Sequence, residues 1–342
     1  MSIESATGAR LSTTSEGLWL TAALAGVSRL PGALRVRPVG DVNAMLAGHP
    51  GLQVLADQGI CTPGVLTAVG DDDDEATWRV RAAGALDEDV YEWLWTLGRP
   101  DIEVIIEISR PAEQSDRLLG PPPLLDLGVD PETHPVEAYA ALQQWRAEQP
   151  PQRAAVLCRR DGQWVCAARV WQVGAESFDE IVVSPLGAAD IGTSVNEILG
   201  HVPAAEFEGI NQPAQTIEPI VTAWQAEPSM DVVSELAAAG LTIPQARVLA
   251  AAADASATRI TVCVMEHSVD GPAFGGRTVT VLDSLYGRVL ISGTDAAESE
   301  PWTMIFPGTA RRITKAVNEM CSSVPSGADW VTHQRTRPFH SN

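Results

Sequence analysis

Apolar positions in this chain follow one pattern twice. Around Pro185 the order is Val182, Val183, Ser184, Pro185, then Ala188, Ile191, Val195, Ile198, Leu199, Val202 and Pro203. Around Pro307 it is Met304, Ile305, Phe306, Pro307, then Ala310, Ile313, Val317, Met320, Cys321, Val324 and Pro325. Each copy predicts a short strand, a proline stop and a helix whose apolar stripe steps by three and four. Two like halves sharing one sheet make a scaffold with a broad surface more readily than a catalytic cleft.

The remaining pattern fills in around the repeat. Residues 1–16 are small and polar and are expected to be disordered. Residues 18–24 and 33–37 read as strands about the Leu30-Pro31-Gly32 turn, and 44–58 as a helix ended by Gly59. A helix over 87–97 carries Val90, Trp93, Leu94 and Leu97 on one face, and 102–108 is a β-branched strand. Residues 109–152 break pattern with eight prolines around a short helix at 135–147; so long a loop in a compact domain is usually functional or disordered. Arg160-Asp161-Gly162-Gln163 signals a hairpin, because Asp-Gly tolerates positive φ. A strand near 178–184 leads into the first repeated helix. Helices are expected at 213–226, 229–239 and 243–254, and strands at 258–266, 277–283 and 287–292; the tail past Trp330 reads as loose.

The halves align beyond the repeat. Asp57-Gln58-Gly59-Ile60 matches Ala238-Ala239-Gly240-Leu241, 87–108 matches 243–266, and the Asp161-Gly162 hairpin matches the one at Tyr286-Gly287. Tight turns between sequential strands make the sheet mainly antiparallel. The expected class is α+β: a central sheet with helical bundles in two halves related by a pseudo-two-fold axis. One domain would span 17–332, with half one at 17–205 holding the 109–152 insert, half two at 206–332, and a loose tail at 333–342.

Composition narrows the partners. Acidic residues outnumber Lys plus Arg by 44 to 23, a net charge of −21. That disfavours nucleic acid and anionic lipid, which need a basic face to release counterions. No apolar run approaches the ~20 residues of a membrane span, and no signal peptide is visible at the start. Cys61, Cys158, Cys166, Cys263 and Cys321 form no CxxC pair and read as buried free thiols in a reducing cytoplasm. The Asp71–Glu75 run lacks calcium-loop spacing and reads as a solvated loop.

Catalytic chemistry finds little support. GxSxG, HExxH, Walker A and GxGxxG are absent, and no metal-spaced Cys/His set occurs. Asp283-Ser284 with Arg288 reads as turn capping, and His201 as a helix-end residue. No catalytic, cofactor or metal residue is nominated. Ten tryptophans are spread through both halves; Trp93 and Trp95 cannot share one helix face, so one is exposed in part. Trp224, near Pro228 and Met230, is the best aromatic interface candidate.

An ordered set of segments resembles the EspG family, the cytosolic chaperones of actinobacterial type VII (ESX) secretion. They are Ala155–Gly162 with Ala167-Ala168-Arg169, Leu236–Leu241 through Ala246-Arg247, Val281–Ser284 with Gly287-Arg288, and Phe306–Thr309 with Pro325-Ser326-Gly327 and Trp330. The resemblance implies a cytoplasmic protein that binds PE–PPE heterodimers 1:1:1, capping the apolar tip of the PPE helical bundle until the pair reaches the secretion machinery. It implies a contact surface made of one sheet face, the second-half helices and a long first-half loop. Placed on this sequence, that nominates Leu118, Leu119, Leu124 and Leu125 in the insert and Trp224, Met230 and Val233 on the helices. Such an interface covers about 1,600 Å² and binds with micromolar to nanomolar strength, about −8 to −12 kcal/mol. The rival readings are an enzyme whose site assembles only in space and an adaptor for an unrelated protein.

Overall fold

The computed structural model describes residues 10–39, 44–62, 64–67, 75–109, 133–137, 140–141, 152–172, 175–293 and 302–335. Its strands are β1 (Leu11–Thr13), β2 (Ile102–Ser109), β3 (Gln152–Arg160), β4 (Gln163–Gln172), β5 (Ala175–Gly187), β6 (Ile210–Pro213), β7 (Thr258–Ser268), β8 (Gly271–Phe274), β9 (Val279–Ser284), β10 (Gly287–Gly293) and β11 (Trp302–Pro307). They form one sheet in the order β1-β5-β4-β3-β2-β7-β9-β10-β11-β6, with β8 beside β7. Every strand pairing is antiparallel. The expected α+β class with a mainly antiparallel sheet is therefore what the chain adopts. The Asp161-Gly162 hairpin is also as expected, with φ of 50° and 78°, the primed turn that only such residues enter cheaply.

The helices are α1 (Ser15–Leu24), α2 (Gly51–Asp57), α3 (Gly64–Thr67), α4 (Glu75–Gly84), α5 (Glu88–Gly98), α6 (Ile191–Leu199), α7 (Ala214–Ala226), α8 (Val232–Ala238), α9 (Ile243–Ala253) and α10 (Ala310–Cys321). Side-chain N-caps start most of the longer ones: Thr14, Asp87, Asp190, Thr242 and Thr309 each accept a backbone N–H of the first turn. Thr242 and Gln245 close a full capping box.

Several expectations change. The apolar run 18–24 is α1, not a strand: Thr14 caps it, and Leu18 and Leu20 to Leu24 are all buried, so no face pattern distinguished the two periods. Residues 33–37 give a short 3-10 turn at Gly32–Leu34, ended by Arg35 at φ 50°. The single helix expected at 44–58 is a 3-10 segment, Ala44–Gly48, and then α2, divided at Pro50. The turn after α2 is as read: Gly59 has φ 72° and Ile60 N–H donates to Leu55 O at 2.8 Å. Pro185 does not stop its strand. β5 runs through it to Gly187, and the register shifts opposite it between Trp164 and Val165. Short β1, β6 and β8, and α4, carried no pattern strong enough to foresee. Residues 10–16, expected to be disordered, form β1 and open α1. The acidic run 71–74 and most of the 109–152 insert lie outside the described residues, although 135–137 and 140–141 are helical as expected.

Three apolar cores sit around the sheet. On one face, α6 and α10 place Ile191, Val195, Ile313 and Val317 over Val104, Ile106, Leu157, Val262, Val264 and Val281. On the other, α1, α2, α4 and α5 cover the first half through Val156, Cys158, Val165 and Ile181. There α7, α8 and α9 cover the second half through Leu282, Val289 and Ile305.

Buried arginines tie these layers to loops. Arg288 donates to Asp283 at 2.6 and 2.9 Å and to the carbonyls of Gly200 and Leu199 at 2.9 and 3.1 Å, so it caps the C-terminus of α6. Arg169 bridges Asp179 and the carbonyls of Leu34 and Arg35. Arg159 donates to the carbonyls of Trp330, Val331 and His333 at 2.7, 2.5 and 2.6 Å. Arg335 N–H reaches Asp101 at 2.8 Å. The tail expected to be loose from 333 is thus pinned as far as Arg335; residues 336–342 lie outside the described residues.

The two repeated helices cross at Gly192. A Cβ there would stand 2.8 Å from both the Cγ2 and the backbone oxygen of Thr314. Gly192→Ala is expected to cost about 1–3 kcal/mol in urea unfolding by overpacking. Gly84→Ala, at a helix end where the added Cβ meets nothing within 4 Å, is expected to be neutral or stabilising by up to about 1 kcal/mol. Equal effects at the two sites would show that the α6–α10 contact is loose.

Candidate functional site

Two apolar surfaces remain half open on the face that carries the α1–α5 and α7–α9 layers. The first is the middle of the sheet. In β2 and β7 the side chains facing α6 and α10 are buried, whereas Ile105, Thr261, Cys263 and Met265 on the reverse are only half-buried and Glu107 is exposed. Ile105 pairs with Cys263, and Met265 pairs with Phe274 of β8, so these four point to one side. Phe274 is 66 % exposed. The result is a strip of Ile105, Cys263, Met265 and Phe274 between the two helical layers.

The strip has an acidic end. Glu103, buried beside Met265, holds His267 Nε2 at 3.1 Å through Oε2. Its Oε1 is buried with no hydrogen-bond partner among the described residues. The thiol of Cys263 is pushed up to about 11, first by burial and then by the negative charges of Glu107 and Glu103. It stays protonated near neutrality and adds to an apolar floor rather than to a nucleophile.

The second surface lies on α7 and α8. Trp224 on α7, Met230 in the following turn and Val233 on α8 are half-buried and pack on the second-half core together with Ile220 and Val221. These three candidate residues are thus brought together, neither wholly core nor wholly free. Glu218, Glu227, Asp231 and Glu235 stand exposed around them. Asp231 caps α8, and the Ser234 hydroxyl and N–H hold its carboxyl below the usual range, so it stays charged. Leu118, Leu119, Leu124 and Leu125 lie outside the described residues.

Sequence reasoning missed the central strip and Ile220 and Val221. A signal for the strip was present: Ile105 of β2 and Cys263 and Met265 of β7 put apolar side chains on the second face as well as the first. Phe274 had none, because only β8 pairing puts it beside Met265.

Ser284 Oγ donates to Gly287 O and Asp283 is engaged by Arg288, the turn roles expected for them. Among the described residues no group of three or more His, Cys, Asp or Glu could hold a metal ion. No helix among them is long and apolar enough to cross a membrane.

Comparison with known proteins agrees with this architecture. The EspG family model matches residues 132–319, more than half of the chain. The ESX-5 secretion-associated protein EspG5 of Mycobacterium tuberculosis is 26 % identical over 330 residues, covering 94 % of this chain and 95 % of the relative. The ESX-2 secretion-associated protein EspG2 of the same species is 24 % identical over 343 residues, covering 95 % and 99 %. A solved structure of the M. tuberculosis type VII secretion system chaperone EspG5, in complex with a PE25–PPE41 dimer, superposes with a TM-score of 0.65 at 21 % identity, over 95 % of this chain and 100 % of that one.

The thiols give a direct check of the site chemistry. Burial raises Cys166 and Cys321 to about 12, against about 11 for half-exposed Cys263. Thiolate rises with pH, so alkylation of the native protein is expected to be slow at pH 7 and to accelerate toward pH 11, at Cys263 before Cys166 and Cys321, as read by mass spectrometry. Rapid labelling of Cys263 at pH 7 would contradict a neutral, apolar floor.

Proposed function

The chain belongs to the EspG family, and from that premise we propose that it is a cytoplasmic chaperone of type VII (ESX) secretion that binds a PE–PPE heterodimer 1:1:1. It caps the apolar tip of the PPE helical bundle and keeps the pair soluble. The observation that carries the reading is the shared fold over nearly the whole chain with a chaperone solved in complex with a PE–PPE dimer. Two half-open apolar surfaces support it, since a capping protein must offer such area and bury it on binding. On this reading the insert leucines Leu118, Leu119, Leu124 and Leu125 are client contacts, and so are Trp224, Met230 and Val233 on the second-half helices. The role calls for no catalysis. A surface of high negative charge keeps free chaperone and loaded complex dispersed.

The domain reading belongs to the same proposal: one domain, widened from the expected 17–332 to take in β1 at Leu11 and the tail to Arg335, whose halves are related by a local two-fold axis. Equivalent positions meet each other, as such an axis requires. Gly192 and Thr314 of the two repeats touch, and Ile106 pairs with Val262 at the seam. The edges match as well. Leu11 of β1 pairs with Val183, and Ile210 of β6 pairs with Ile305, the repeat counterpart of Val183. Gly240 at φ 101°, with Leu241 N–H on Leu236 O, repeats the turn at Gly59.

Co-expression with PE–PPE pairs of the same genome, followed by gel filtration, is expected to give one 1:1:1 species. No complex with any pair would favour the adaptor reading. In a pair that binds, Leu124→Asp with Leu125→Asp is expected to weaken the complex about tenfold or more without changing the circular dichroism. Unchanged affinity would remove the insert from the interface.

A further inference from the structure

The two halves differ in one place that bears on the client. After α2, half one inserts α3 and α4 before α5; after α8, half two turns directly through Gly240 into α9. α4 packs against α1 and α3, and its Trp78 and Ala82, one helical turn apart, are buried in the first-half core. In half two no described element takes that place.

The matched edges set the register between α1 and α7. Each helix begins four residues after the paired positions Leu11 and Ile210, so Leu18 corresponds to Ile217, and both are buried. One turn further, Thr21, Ala22 and Ala25 in half one are 0 %, 0 % and 3 % exposed. Their counterparts Ile220, Val221 and Trp224 are larger, more apolar and half-buried. A position that grows in apolar area while losing its cover is one that awaits another cover.

We infer that the client supplies to α7 and α8 the helix that α4 supplies to α1. The inference rests on the chaperone reading and names what the client presents: a short amphipathic helix with large and small apolar residues one turn apart, as Trp78 and Ala82 are, and a basic flank. The charge follows from the rim. Glu218, Glu227, Asp231 and Glu235 surround the patch, and no Lys or Arg occurs between Arg169 and Arg247. An acidic segment would meet like charge, and a basic one is steered in and oriented.

The test uses a PE–PPE pair that forms the ternary complex. Val221→Asp is expected to weaken it about a hundredfold, as burial of a charge in an apolar contact does. Glu218→Arg with Glu235→Arg, exposed and safe for folding, is expected to weaken it about tenfold and to reduce its dependence on salt. Val54→Asp, on exposed first-half α2, is the control and should bind as wild type. Wild-type affinity in both second-half variants overturns the inference while the chaperone reading stands. If no pair binds, that reading fails by itself, and a capped peptide of Glu75–Leu86 titrated against the full chain decides the inference. Saturable binding that Val221→Asp abolishes keeps it; none at millimolar peptide overturns it.

Discussion

The antiparallel pairing of β2 with β7 is the contact on which the rest of the molecule depends. It runs from Ile102 opposite Glu266 to Ser109 opposite Arg259 and turns two meanders into one sheet. One side of that seam is sealed, because α6 and α10 lie over Val104, Ile106, Val262 and Val264. The helices on the reverse are anchored to the flanks, α5 on β3, β4 and β5 and α9 on β9. The seam is therefore where the sheet's second face stays half open. A strand slip of one residue would turn Val104 and Val264 outward and bring Glu103 and Glu107 into the sealed core, so the register is strongly specified.

From that constraint the surface chemistry follows. Ile105, Cys263 and Met265 back onto a buried seam, and they are half exposed because no helix among the described residues lies over them. Leaving such area in water invites association, and the acidic exterior limits that association to partners able to match it. The buried arginines serve a different end. Arg159, Arg169 and Arg288 each satisfy carbonyls of a loop or helix end that would otherwise be buried without donors. They hold the irregular segments to the sheet so that the open surfaces keep their shape.

The repeat, the α5–β2 and α9–β7 units and the Asp-Gly hairpin were legible in the residues alone, because each is written in local periodicity or turn chemistry. Trp224 and Met230 stood out as aromatic and apolar residues near a helix break, whereas Val233 entered only through the family resemblance. α1 was misread because Leu18 and Leu20 to Leu24 are all buried, which erases the difference between periods of 2 and 3.6. The extension of β5 through Pro185 was misread because a bulge, invisible to composition, accommodates the missing N–H.

The sequence by itself determined that two like strand–helix units share one antiparallel sheet, that the surface is acidic and that no familiar catalytic motif is present. Local spacing carries those facts, since each depends on residues within a turn or two of one another. Only the tertiary structure decided which apolar residues stay in contact with water. Met265 meets Phe274 through β8 pairing, and Val221 is half open where Ala22 is closed because, among the described residues, only the first half has a helix such as α4 at that place. Exposure is a property of what covers a residue, and what covers it here comes from far along the chain.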